Sequence, residues 1–139
     1  MTAITYDAID VGDEATPLVV ESLTRTNFVR YAGASGDFNP MHHDDTIASQ
    51  VGNPSVFGHG MLTMGLLARV VKDWFGPEAI RRFQVRFSKQ VWPGDTLTCT
   101  ATVTGKREED GEKLVDLECA VTNQEGVQVL TGTATALVS

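Results

Sequence analysis

Residues His59 to Phe75 contain Met61, Leu62, Met64, Leu66, Leu67, Ala68, Val70 and Val71, with only Arg69, Lys72 and Asp73 charged. At helical spacing these apolar positions fall on nearly every side, and a helix apolar all round has to be surrounded by other structure. Gly76-Pro77 then stops it in the usual way. The helix is about 25 Å long at 1.5 Å per residue. Its longest apolar run, Met61 to Val71, includes Arg69 and is roughly half of the ~20 residues that a membrane span needs. A buried helix of a globular protein is therefore expected.

The second half of the chain supplies what can surround it. Phe83, Val85 and Phe87 alternate with polar residues, as do Leu97, Cys99, Ala101 and Val103, and then Val115, Leu117, Cys119 and Val121. Period two gives each strand one buried and one wet face. Val127 to Val138 is a fourth strand, where Gly132 predicts a bulge or a change of face. The links Trp92 to Asp95, Asp110-Gly111 and Asn123 to Gly126 are short enough to join neighbouring antiparallel strands. The expected class is α+β: a long central helix wrapped by a curved antiparallel sheet. In the first half, Leu18 to Ser22 reads as a short strand. Thr24 caps a helix that ends near Gly33 to Gly36, and Asp44 to Gln50 is a further short helix.

With 139 residues, 42% hydrophobic and 21% charged, residues 1–139 are expected to form a single domain. The net charge of −7 and the lack of a basic stripe with interleaved aromatics argue against nucleic-acid binding. Met1 to Tyr6 has no basic cluster followed by an apolar stretch, so a cytoplasmic location is expected. Cys99 and Cys119 lack metal-ligand spacing and read as small core residues.

Chemistry concentrates between Ser35 and Asp45. Asp37 and His42 lie five residues apart on a loop bent by Pro40, so a carboxylate and an imidazole can face one substrate from two directions. His59-Gly60 follows at the start of the buried helix. Gly60 has no side chain to shield its N–H, which the helix dipole makes a ready oxyanion donor. Base, acid and oxyanion donor together suit addition of water across a double bond conjugated to a thioester. His42, His43 and His59 with Asp44 and Asp45 lack the spacing of a metal site, and the chemistry needs neither metal nor cofactor.

Tyr31 to Asp45 together with His59-Gly60-Met61-Leu62 resembles the MaoC-like, (R)-specific enoyl-CoA hydratase family, whose signature runs Gly-Asp-x-Asn-Pro-x-His. Gly58 to Gly65 and Trp92 to Leu97 are most similar to small actinobacterial members, which include 3-hydroxyacyl-thioester dehydratases. The resemblance implies a hotdog fold and dimers that join two sheets edge to edge, as a homodimer or with a hotdog paralogue. It makes Asp37 the group that deprotonates water and His42 the group that exchanges the α-proton. Asn39 becomes a hydrogen-bonding member of the site, and Gly60 the donor to the thioester carbonyl. The substrate would be an acyl-CoA or acyl-carrier-protein thioester. His59 and Met61 are candidates for lining the acyl site, and Arg81, Arg82 and Lys89 for an anionic carrier. The sequence departs from the family at Met41, at Ala34, and at Ala68, where some members carry a serine that supports the aspartate.

Two other functions fit the same fold. A hotdog thioesterase usually needs a carboxylate on or beside the helix, and none occurs between His59 and Lys72. A non-catalytic acyl-binding subunit would have no need of Asp37 and His42.

Overall fold

Local side-chain chemistry sets the starts of the first two helices. The computed structural model describes residues 4–139, so the first three residues of the expected 1–139 unit lie outside the described residues. Helix α1 (Arg25–Ser35) opens on a reciprocal pair in which Thr24 and Asn27 each accept from the other's backbone amide, and closes on Gly36 at φ 77°. Helix α2 (Asp45–Gln50) is capped by Asp44, whose Oδ1 accepts from Thr46 and Ile47. Helix α3 (Gly60–Phe75) starts without a capping side chain and ends at Gly76.

Strands β1 (Leu18–Val20), β2 (Ile80–Phe87), β3 (Leu97–Glu109), β4 (Glu112–Thr122) and β5 (Gln128–Leu137) form one sheet in the order β1-β3-β4-β5-β2. Every pairing is antiparallel. The expected inward rows of β3 and β4 are buried, and Leu130, Ala134 and Ala136 of β5 join them under α3. Cys99 and Cys119 sit diagonally on adjacent strands as free thiols. Burial pushes their pKa up to about 11 and about 12.

Two expectations about the sheet need correction. The Trp92–Asp95 turn does not join neighbours, because β2 pairs with β5 while β3 pairs with β1 and β4. The turn is instead tied to the end of β1 by Leu23, whose amide donates to Asp95 O and whose carbonyl accepts from Gly94. Gly132 is no bulge or face switch; it pairs in register with both Cys119 and Val85. Its missing side chain reflects space, since a Cβ there would lie 2.4 Å from the backbone oxygen of Gln84.

Helix α3 is covered on one side only. Thr63, Leu67, Val70 and Val71, at helical spacing, are buried against the sheet, whereas Met61 is 55% exposed. Phe87, expected on the buried face of β2, is 51% exposed at the end of that edge strand. A single five-stranded sheet can wrap one face of a helix, so an apolar strip along α3 and β2 stays at the surface.

Candidate active site

Three successive side-chain-to-backbone bonds shape the loop after α1. Ser35 Oγ accepts from the Asp37 amide at 3.1 Å, Asp37 Oδ1 from Asn39 at 3.2 Å, and Asn39 Oδ1 from Met41 at 3.1 Å. Such bonds from residue i to the amide of i+2 are the turns that Ser, Asp and Asn favour. Pro40 then opens a 3-10 turn through His42, for which Asn39 is the cap. Asn39 therefore has its side-chain oxygen committed to the turn.

The turn carries His42 into the protein, 8% exposed, while Asp37 keeps its side chain half exposed. His42 Nδ1 lies 2.7 Å from the main-chain oxygen of Phe57. A carbonyl only accepts, so Nδ1 carries the hydrogen and Nε2 keeps the lone pair of the neutral ring. Nε2 faces Asp37 Oδ2 at 3.9 Å. The two carboxylate oxygens thus divide their work, Oδ1 holding the turn and Oδ2 facing the imidazole.

His59 is 2% exposed and packs behind this pair. Its ring stacks on His42 with centroids 3.8 Å apart and 27° between planes, and meets Tyr31 edge-on at 4.8 Å. Its Nε2 lies 3.1 Å from the Asp37 main-chain oxygen. Burial holds the His59 pKa below the ordinary histidine range, with nearby His42 adding to the effect and the bond to Asp37 opposing it. Asp37, His42 and His59 offer ligand atoms within 4.8 Å of one another. The in-plane lone pairs of two stacked rings run side by side, however, and do not converge on one ion about 2.0 to 2.1 Å from each nitrogen.

Gly60 follows His59 directly and packs its α-carbon against Phe87, whose ring a Cβ would meet at 3.1 Å. Gly60, Phe57, Thr63, Phe87, Lys89 and Leu130 belong to the wall of a cavity of about 270 Å³. Asp37 and His42 stand outside that wall. They are joined to it through Phe57, which holds His42, and through His59, which precedes Gly60. A larger groove of about 1020 Å³ opens at the other end of α3, around Trp74 and Phe75. Neither member of the acid/base pair lines it.

The remaining candidates divide by position. Lys89 lines the cavity beside Gly60. Arg82, seven residues back along an extended strand, is about 23 Å away at ~3.3 Å per residue. Arg81 reaches Glu112 at 3.6 Å and the Glu78 carbonyl at 2.8 Å, and Arg82 donates to Gln84 at 2.6 Å. The expected basic contact is therefore not one patch within the chain. Met61 lies on the exposed side of α3, outside the cavity wall. Ala68 leaves no serine to support Asp37, but Ser35, Asn39 and His59 hold it instead. Sequence reasoning missed Phe57, whose contribution is a backbone oxygen and leaves no mark in residue type. It also missed Phe87, which alternation assigns to the buried face of β2 and whose ring the fold brings against Gly60.

Among known proteins, the model of the "MaoC like domain" matches residues 11–125. The (R)-specific enoyl-CoA hydratase of Rhodospirillum rubrum is 30% identical over 131 residues, 93% of this chain and 89% of that protein. The unliganded R-hydratase PhaJ1 from Pseudomonas aeruginosa superimposes with a TM-score of 0.86 at 28% identity, covering 98% of this chain and 86% of the other. The ChsH1-ChsH2 complex from Mycobacterium tuberculosis gives 0.80 at 28% identity, covering 94% and 98%. The chain also matches parts of much longer proteins, of whose length it spans only 6% to 14%. With the family model covering well over half of its length, and with the hotdog sheet and helix of the R-hydratases, the chain belongs to the MaoC-like domain family.

Proposed function

We propose that the protein is a hydro-lyase interconverting trans-2-enoyl and (R)-3-hydroxyacyl thioesters. The observation that carries this reading is the fixed tautomer of His42. With Nδ1–H tied to Phe57, only Nε2 exchanges a proton, and it does so facing Asp37.

In hydration, the Asp37 carboxylate takes one proton of a water molecule whose oxygen bonds to the β-carbon. The π electrons move to the thioester oxygen, which the Gly60 N–H stabilises as an enolate. The enolate then collapses as protonated His42 delivers its Nε2 proton to the α-carbon. The addition leaves Asp37 protonated and His42 neutral, and transfer of that proton from Asp37 to Nε2 of His42, which faces it at 3.9 Å, directly or through solvent, restores the starting pair. Dehydration reverses each transfer: neutral His42 removes the α-proton and Asp37 protonates the departing hydroxyl. The half-exposed Asp37 suits the group that meets water, and the buried His42 the group that meets carbon.

Lys89, beside the cavity, is the favoured contact for an anionic CoA or carrier-protein thioester. The exposed strip along α3 and β2, including Met61 and Phe87, supports pairing with a second copy or a hotdog paralogue through the β2 edge. No helix among the described residues is long and apolar enough to cross a membrane.

The test is loss of enoyl absorbance with crotonyl-CoA and longer enoyl-CoA thioesters, using chiral analysis of the product. Asp37→Asn and His42→Ala are each expected to lower kcat about 10²- to 10⁴-fold. No turnover at any chain length, or unchanged rates in both variants, overturns the reading.

A further inference from the structure

His59 is too buried to be a substrate contact, with 2% of its surface exposed, yet it is not an ordinary core residue. Its Nε2 donates to the main-chain oxygen of Asp37, because that oxygen can only accept. The neutral ring then keeps a lone pair on Nδ1, and this buried nitrogen has no partner among the described residues. A phenylalanine or leucine would fill the same space without an orphaned polar atom, so packing alone does not account for a histidine here.

What a histidine adds is a donor that reaches the catalytic loop 22 residues away and a flat face for the second catalytic side chain. We propose that His59 is a positioning residue for the Asp37–His42 pair, pinning the Asp37 main chain through Nε2–H and seating the His42 ring against its face.

One residue thereby fixes both members of the pair. Tyr31 meets the His59 ring edge-on at 4.8 Å. The titratable groups around it are Asp37, His42, His43 and Tyr31. Burial pushes the His59 pKa down and so favours its neutral ring beside His42, 3.8 Å away.

The activity arm of the test rests on the hydro-lyase reading, and a second arm does not. In the full chain, His59→Gln presents an amide N–H near the position of Nε2, whereas His59→Phe keeps the stacked ring and lacks the donor. With crotonyl-CoA, H59F is expected to lower kcat at least tenfold with KM within about twofold, since small displacements of reacting groups cost large factors. H59Q is expected to recover most of that loss. Should H59F not fold, His59→Asn, whose shorter amide does not reach the Asp37 carbonyl, takes its place with the same expectations.

Nitrogen-15 NMR of the histidine rings should show wild-type His59 as the Nε2–H tautomer at neutral pH. Backbone resonances of Asp37 should move in the donor-free variant and not in H59Q, whereas those of the His42 ring should move in H59Q, which lacks the stacked face. Wild-type kcat in the donor-free variant, a raised KM with kcat unchanged, or an Nδ1–H tautomer in the wild type overturns the proposal. If the wild type turns over no enoyl thioester, the hydro-lyase reading fails, and the NMR comparison alone decides the role of His59.

Discussion

Asp37 Oδ1 accepts the backbone amide of Asn39 at 3.2 Å, so the proposed catalytic carboxylate is also a strut of its own loop. Its other oxygen, Oδ2, faces His42 Nε2 at 3.9 Å. Asp37→Asn keeps an acceptor for the Asn39 amide and is expected to retain the wild-type Tm while losing activity. Asp37→Ala removes both functions and should also destabilise the protein by about 1 kcal/mol. Thermal unfolding of the two variants, measured beside their kcat, checks the separation. Equal Tm values for Asn and Ala would count against the strut.

Gly60→Ala places a methyl group 3.1 Å from the Phe87 ring. That ring is half exposed and can swing aside, and alanine is the better helix former. The Tm is expected to stay within a few degrees, while kcat/KM falls at least tenfold because the methyl crowds the approach to the N–H. Adding Phe87→Ala should relieve strain without restoring the rate. Full recovery in the double variant would move the effect from the N–H to the ring.

Gly132→Ala meets a wall that cannot move. The added carbon would lie 2.4 Å from the Gln84 backbone oxygen, and only separation of β2 from β5 relieves it. We expect a loss of about 1 to 3 kcal/mol, typical of overpacking, in denaturant unfolding. A neutral effect would show that the β2 edge is loosely held.

Asp45 ties the segment before α3 to the rest of the protein, accepting from the Val56 amide and pairing with Arg25, each at 3.0 Å. These partners, Val56 first, hold its carboxyl below the ordinary carboxylate range. A depressed carboxyl stabilises the fold above its unfolded value, about 3.9, and that stability is lost as pH falls through the lower folded value. The Tm difference between wild type and Asp45→Asn should therefore be present at pH 7 and close in acid. Calorimetry from pH 7 downward measures it, and a constant difference would remove the carboxylate from the account.

Lys89→Ala is expected to raise KM for a CoA thioester severalfold with little change in kcat, in line with loss of one exposed phosphate contact. Arg81→Ala, removed from the cavity and engaged with Glu112 and Glu78, should leave KM unchanged. Steady-state kinetics of the two variants at low and moderate salt separates them.

What could be read from the sequence was what is encoded locally. The Thr24 cap, the glycine stops and the alternation of β3 and β4 each depend on neighbours within a few residues, and the structure keeps them. Strand order was less accessible. Period two tells which face Phe83 and Val85 present, but not that β2 would pass over β3 and β4 to pair with β5. The proposed acid/base residues, Asp37 and His42, were visible as types in a turn-forming segment. The carbonyl of Phe57 was not, because every residue has one and only the folded path brings this one 2.7 Å from His42. Arg81, Arg82 and Lys89 were grouped by closeness in sequence, and an extended strand pulls such neighbours apart.

The loop that carries Asp37 is shaped by bonds spanning two residues, whereas His42 depends on Phe57, 15 residues on, and on His59 at the mouth of α3. The two halves of the pair therefore mature on different schedules. The carboxylate turn can form as soon as its own heptapeptide, Ser35 to Met41, leaves the ribosome, but the imidazole acquires its orientation only once α3 has docked on the sheet. Gentle heating should run the sequence backwards, silencing the enzyme through a wandering histidine while the aspartate turn and most of the sheet are still intact.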